Sequence, residues 1–246
     1  MKIDDSQKIG ITENTDPCFH LDIFDHLYTG NIIVTKRLTD KFIEKLVDNK
    51  DKCILHLTVT GFGGTKVEPF VPTVETVSEK FKQLLDKGFP VEQTVLRIDP
   101  IIPTDKGLEK VQHVIDTFKN YNIKRVRFSV LDMYEHVKER FKDAGLPLPY
   151  ETFHAPLSKR TEIYEQLKEY GRQYDFEVEA CGEHGIESIP CLSQKDIDIL
   201  KLTDKIQLIG TKNQRRTCSC PSNKTQLYHN APEQCSHKCL YCYWKK

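Results

Sequence analysis

The chain carries no net charge: 36 lysines and arginines balance 36 aspartates and glutamates over 246 residues. That balance gives no general electrostatic pull towards nucleic acid or an anionic membrane. Nor does any run approach the roughly 18 consecutive apolar residues of a membrane helix. The opening MKIDDSQKIG has none of the apolar core of a secretory signal. These absences predict a soluble, cytoplasmic protein with no membrane partner. Repeats, low-complexity tracts and long Pro/Gly/Ser linkers are missing too, which excludes solenoids and strings of tethered modules. The expected organisation is an α/β barrel domain over residues 1–210, with a cysteine-rich segment, 211–246, packed on it.

Cysteine, by contrast, is abundant. There are nine, an odd number, and five of them fall within residues 218–246. An odd count in a chain without a secretory signal argues against a disulfide framework. Clustered thiols in such a setting point to metal or redox chemistry. Cys18 and Cys53 stand alone and read as small buried side chains.

Short strand-like runs alternate with amphipathic stretches. Strands are expected at Lys8–Thr12, Ile54–Thr60, Val95–Asp99, Arg125–Leu131, Phe176–Cys181 and Lys205–Ile209. Helical spacing joins Val74, Val77, Phe81, Leu84 and Leu85 behind a capping Thr73, and links Leu108, Val111, Ile115 and Phe118. It recurs in Ile163, Leu167, Tyr170 and Tyr174. Alternation of this kind predicts parallel strands with crossover helices, a complete or partial (β/α) barrel. An open sheet with one wet face is the alternative.

Within the strands, apolar and polar residues alternate. His56, Thr58 and Thr60 share one face of their strand, as do Arg97 and Asp99, and Arg125, Arg127 and Ser129. Helices outside a barrel take the apolar faces, so the polar faces would line the lumen. Charges there need partners, a cofactor or a substrate.

The C-terminal segment reads Cys235-Ser-His-Lys-Cys239-Leu-Tyr-Cys242. Three thiolates so spaced can ligate three irons of a 4Fe–4S cluster and leave the fourth iron open. A structural zinc module is the alternative, since Cys-x2-Cys pairs are common in zinc sites. The neighbouring His184 and His237 read as solvated loop histidines.

Cys-x3-Cys-x2-Cys with an aromatic residue, Tyr241, before the last cysteine resembles the cluster motif of the radical S-adenosylmethionine (SAM) superfamily. In that superfamily the motif normally lies near the N-terminus. Its displacement here resembles an uncharacterised domain-of-unknown-function family noted for a C-terminal cysteine cluster of radical-SAM type. The resemblance runs along most of the chain. It includes Thr15-Asp16-Pro17, Thr60-Gly61-Phe62-Gly63 with Glu68-Pro69, Arg97-Ile98-Asp99-Pro100, and Ser129 to Tyr134. Ala180-Cys181-Gly182-Glu183, Gln214-Arg215-Arg216-Thr217-Cys218-Ser219-Cys220 and Tyr243 complete it. The Arg-Ile-Asp-Pro-Ile-Ile-Pro run is also similar to a barrel strand of spore-photoproduct-lyase-like proteins.

The resemblance implies a radical-SAM barrel, a 4Fe–4S cluster on Cys235, Cys239 and Cys242, and SAM as cofactor. It implies an adenine contact at Tyr241, with Gly61, Gly63 and Gly64 as candidates to receive the methionyl amino group. This chain has Gly63-Gly64-Thr65 where the family usually has Gly-Gly-Glu. Arg97 and Asp99 are the catalytic candidates, facing SAM or an unknown substrate, although they can also simply pair with each other. A reductase or flavodoxin-type electron donor is the implied partner. A DNA-repair lyase of the spore-photoproduct type is a rival reading, supported by the basic group Lys212, Arg215 and Arg216. Four cysteines remain, Cys181, Cys191, Cys218 and Cys220, the number a tetrahedral zinc or a fully ligated second cluster requires.

Overall fold

A computed structural model describes residues 3–211, 218–228 and 235–244. Seven strands form one sheet: β1 (Ile9–Ile11), β2 (Gly30–Thr35), β3 (Cys53–Thr58), β4 (Thr94–Ile101), β5 (Arg125–Val130), β6 (Glu177–Ala180) and β7 (Lys224–Gln226). Their order is β6-β5-β4-β3-β2-β1-β7, and all six pairings are parallel. Helices α1 (Asp40–Asp48), α2 (Val74–Asp86), α3 (Asp105–Phe118), α4 (Glu135–Asp143), α5 (Leu157–Tyr174) and α6 (Gln194–Ile199) fall between them. The N-caps Thr39, Thr73 and Thr104 each accept a backbone N–H and so fix where α1, α2 and α3 begin.

β1 to β6 are laid down in sequence, and α1, α2, α3 and α5 pack on the same sheet face. Leu55, Leu57, Leu96, Ile98, Val126 and Phe128 bury against Phe42, Phe81, Ile115 and Leu167 from these helices. This is an α/β fold with a seven-stranded parallel sheet, arranged as in a partial barrel; β6 and β7 are not paired with each other among the described residues. The other face is the lumen. Its lower end holds Ile9, Ile32, Ile54 and Val95, plugged by Leu192, Ile197, Leu202 and Ile206 from the chain around α6.

The expected strand at Lys205–Ile209 does not form. Its backbone is satisfied by side-chain amides instead: Ile209 N–H donates to Asn223 Oδ1 at 2.6 Å, and Gln207 N–H to Gln7 Oε1 at 2.9 Å. The edge position goes to the short polar strand β7. The apolar β2, absent from the expected set, fills the place between β1 and β3.

Candidate functional site

The lumen above its apolar floor is polar and buried. Arg125 bonds Glu179 and Asp196 at 2.6 Å each, and Arg127 Nε reaches the same Glu179 at 2.9 Å. The carboxylates pair with both guanidiniums and tie this layer of the sheet together, while Arg127 Nη1 is buried and makes no hydrogen bond among the described residues. One layer higher, Arg97 pairs with Asp99, whose other oxygen accepts from Ser129. His56 lies beneath, its Nδ1 3.4 Å from Arg97 Nη1. Burial and the neighbouring Arg127 and Arg97 charges hold its imidazole well below the usual range, and therefore neutral.

The loops leaving β3, β4 and β5 bring Phe62, Val67, Ile102, Leu131 and Met133 into one apolar cluster with Cys239 and Tyr241. The C-terminal segment therefore lies across the C-terminal mouth of the sheet, where barrel-type proteins gather functional groups. Several polar contacts hold it there. Leu240 N–H donates to the Val67 carbonyl at 3.0 Å. Arg140 on α4 donates to the carbonyls of Leu240 and Cys242 at 3.0 and 2.9 Å. The Asp132 N–H donates to the Tyr243 hydroxyl at 2.7 Å. His237 Nε2 sits 2.7 Å from the Asp16 carboxylate.

His237 is 1% exposed, which corrects the expectation of a solvated histidine. Asp16 also accepts from the Thr35 hydroxyl at 2.6 Å and the Lys36 N–H at 2.8 Å. Burial alone would raise this carboxyl. The bond to His237, its electrostatic attraction and the Thr35 bond outweigh burial and hold it below the usual carboxylate range.

Tyr241 points its hydroxyl into the buried carboxylate of Glu68. Lys36 Nζ donates to that hydroxyl at 2.8 Å and to Glu68 at 2.9 Å, while Thr60 donates to the other Glu68 oxygen at 2.5 Å. The glycine turn makes this possible. Gly61 and Gly64 adopt φ of +84° and +75°, and Gly64 N–H donates to the Glu68 carbonyl at 3.0 Å. A Cβ on Gly63 would fall 1.9 Å from the Pro72 carbonyl oxygen. The turn thus presents Glu68 to Tyr241, while Gly61 packs against Lys110 and Gly63 against Pro72.

The three thiols of the C-terminal motif lie within electrostatic reach of each other. Burial pushes the Cys239 thiol up; the Lys36 ammonium opposes this, while Glu68, Cys235 and Cys242 add to it. Cys235 is likewise raised by burial. Lys36 also feels Asp99, so the mouth and the Arg97–Asp99 layer form one electrostatic unit.

Cys181, Cys191, Cys218 and Cys220 are brought together elsewhere. Cys181 follows β6 and Cys220 precedes β7, so they lie at the two edges of the sheet. Cys181 Sγ is 3.3 Å from Cys191 Sγ, and Cys191 N–H donates to Cys220 Sγ at 3.3 Å. The Cys220 thiol in turn contacts Cys218. Lys224 Nζ is 3.6 Å from Cys220 Sγ, and Arg97 Nη1 is 4.0 Å from Cys191 Sγ. Thiol donation from Cys181 and Cys220, helped by Arg97 and Arg127, overcomes burial and holds Cys191 well below the usual thiol range. Among the described residues, no three His, Cys, Asp or Glu side chains already form a ready cage for a single metal ion.

Lys36, Arg140, Glu13 and Lys224 had no place in the sequence-based expectations. Lys36 follows the unrecognised β2, and Glu13 pairs with Lys224 on the equally unrecognised β7. Lys212, Arg215 and Arg216, with Gln214 and Thr217, lie outside the described residues. An open concavity lined by Tyr28, Lys52, Leu200 and Lys205 is at the opposite, N-terminal end of the sheet. No helix among the described residues is long and apolar enough to cross a membrane.

Fold and site together define an α/β protein with a seven-stranded parallel sheet and a cysteine-bearing segment over its C-terminal mouth. The chain belongs to the family described as a domain of unknown function, DUF1848, whose model matches residues 28–244. No curated relative matches it. Among solved structures it is similar to the mannohexaose complex of Thermomonospora fusca beta-mannanase, at 12% identity and a TM-score of 0.32, over 87% of this chain and 85% of that one. A likeness that low carries no weight for function.

Proposed function

We propose that the protein is a radical-SAM enzyme, with a partial barrel of radical-SAM type closed by its own C-terminal segment. The observation that supports this reading most is the position of Cys235, Cys239 and Cys242. The motif lies at the wrong end of the chain, yet the fold carries it back to the mouth where barrel chemistry takes place. The donor set fits a 4Fe–4S cluster. Three thiols in one short loop leave one iron without a protein ligand, and such a cluster spreads its thiolates more widely than a single ion does. Bound there, the cluster would supply the electron that splits SAM into methionine and a 5′-deoxyadenosyl radical.

The rest falls to the chain's own residues. Lys36 places a cation beside Cys239 and favours an anionic ligand set. Tyr241 and the turn that carries Gly61, Gly63 and Gly64 are the candidates to hold SAM. Arg97 and Asp99 sit deeper, positioned for the substrate. The apolar cluster of Phe62, Ile102, Leu131 and Met133 excludes water from this mouth. A flavodoxin-type reductase is the electron donor this reading requires.

The test is anaerobic reconstitution with iron and sulfide, followed by dithionite and SAM. The wild-type protein should release 5′-deoxyadenosine, and Cys239→Ala should release none. A cluster-loaded protein that leaves SAM intact would refute the proposal.

A further inference from the structure

Seven parallel strands leave two sheet edges, and an exposed edge is a liability that folds cover or pair. Here Cys181, just after β6, and Cys220, ahead of β7, both contact Cys191, the first through its sulfur and the second through its backbone N–H. Cys181, Cys191 and Cys220 are all buried at this junction, and Cys218 adjoins them. Four thiols drawn from three separated stretches of chain meet at the one place where the barrel fails to close.

We infer that Cys181, Cys191, Cys218 and Cys220 form a four-thiolate site for one tetrahedral divalent ion of the zinc class, which joins the β6 and β7 edges. This inference does not depend on the radical-SAM reading.

The spacing favours a single ion over a cluster. A tetrahedral ion with metal–sulfur bonds of about 2.3 Å sets its sulfurs about 3.8 Å apart. Cys181 and Cys191 sulfurs are already 3.3 Å apart. The four thiols form a chain, 181–191–220–218, which a bound ion would draw into a tetrahedron. The S–H protons the thiols still carry leave to solvent as the ion binds and no electron moves, so no oxidant is required.

The surroundings point to a ligand in their own right. His56 Nε2, Arg97 Nε and Arg127 Nη1 are buried and make no hydrogen bond among the described residues. All three side chains interact electrostatically with Cys191. Metal-bound thiolates are strong acceptors and are normally held by such outer N–H donors. With one divalent ion the site carries two negative charges, and Arg97 and Lys224 already stand beside two of its sulfurs.

The experiment uses the triple variant Cys235→Ala, Cys239→Ala, Cys242→Ala, which removes the C-terminal set. Loaded with zinc and desalted, it should retain about one zinc per chain. Cobalt in place of zinc should give the intense near-ultraviolet charge-transfer bands of a tetrathiolate. In parallel, the wild-type protein is treated with a thiol-alkylating reagent and mapped by mass spectrometry. Cys181, Cys191, Cys218 and Cys220 should be labelled at least about tenfold more slowly with zinc than after chelation. Cys53 should not respond. This second measurement stands if the triple variant does not fold. Absence of bound zinc together with metal-independent labelling would overturn the inference. A Cys181–Cys191 disulfide in metal-free protein, or four irons with sulfide in the triple variant, would overturn it equally.

Discussion

The two cysteine groups occupy contrasting environments. The C-terminal group is carried on a loop, held from outside by Asp16, Glu68, Asp132 and Arg140, with Cys235 and Cys242 part-exposed and one cation, Lys36, beside Cys239. In the seam group Cys181, Cys191 and Cys220 are buried and only Cys218 is part-exposed, and the group lies next to Arg97, Arg127 and Lys224. Thiols that must leave a metal coordination site open to a small molecule belong at a mouth. Thiols that only hold belong where water and ligand do not reach. On the two readings proposed above, the same residue type is divided between two tasks by position, with the Arg97–Asp99 pair between the two.

That contrast can be broken by substitution. The largest effect should come from Glu179→Ala, which leaves Arg127 buried without its carboxylate and Arg125 with Asp196 alone. Loss of one partner of such a network costs about 3–5 kcal/mol, read as a shift in denaturant midpoint. A loss below about 1 kcal/mol would mean the lower lumen is not the rigid floor described here.

Asp16→Ala should cost about 1.5–3 kcal/mol, because it removes a charged hydrogen-bond hub. Its damage should be local: faster proteolysis and hydrogen exchange within 235–244, with the seam thiols as protected as before. The Asp16 carboxyl titrates lower in the folded protein than in the unfolded chain. Its stabilisation is therefore complete above about pH 4 and disappears as pH falls through the lower folded value. Stability curves of wild type and Asp16→Asn should converge on acidification through that window.

Lys36→Met should raise the Cys239 thiol further, since burial then acts without an opposing cation. Alkylation of metal-free Cys239 at fixed pH should slow several-fold, while Cys191 is unaffected. An equal slowing at both sites would erase the distinction between them. The smallest effect belongs to Tyr241→Phe, about 1 kcal/mol or less, because Glu68 keeps its bonds to Lys36 and Thr60.

Much of this was readable in the residues. Alternation in Arg125–Val130 and Thr94–Ile101 told which side chains face the lumen, and Thr73 with the 3.6-residue spacing behind it located α2. The strand β2 was harder: Ile32, Ile33 and Val34 run together without alternation, as expected of a parallel strand covered on both faces. β7 has the composition Lys-Thr-Gln and no apolar residue to mark it. Its place at the edge depends on Asn223 and Gln7, whose partners are some 200 residues apart in sequence. The same distance hid the anchors. Asp16 meets His237, and Glu68 meets Tyr241, only after the chain has closed on itself, and no local pattern announces such pairs. Cys235, Cys239 and Cys242, being neighbours in sequence, needed no folding to be noticed.

The most direct measurement is the electron paramagnetic resonance spectrum of the anaerobically reconstituted, reduced protein, with and without SAM. The reading advanced here predicts about four irons and four sulfides on the C-terminal set. It predicts a reduced-cluster signal that changes when SAM is added and vanishes in Cys239→Ala. A colourless protein that binds only zinc after careful reconstitution, or a cluster whose signal is indifferent to SAM, would contradict it.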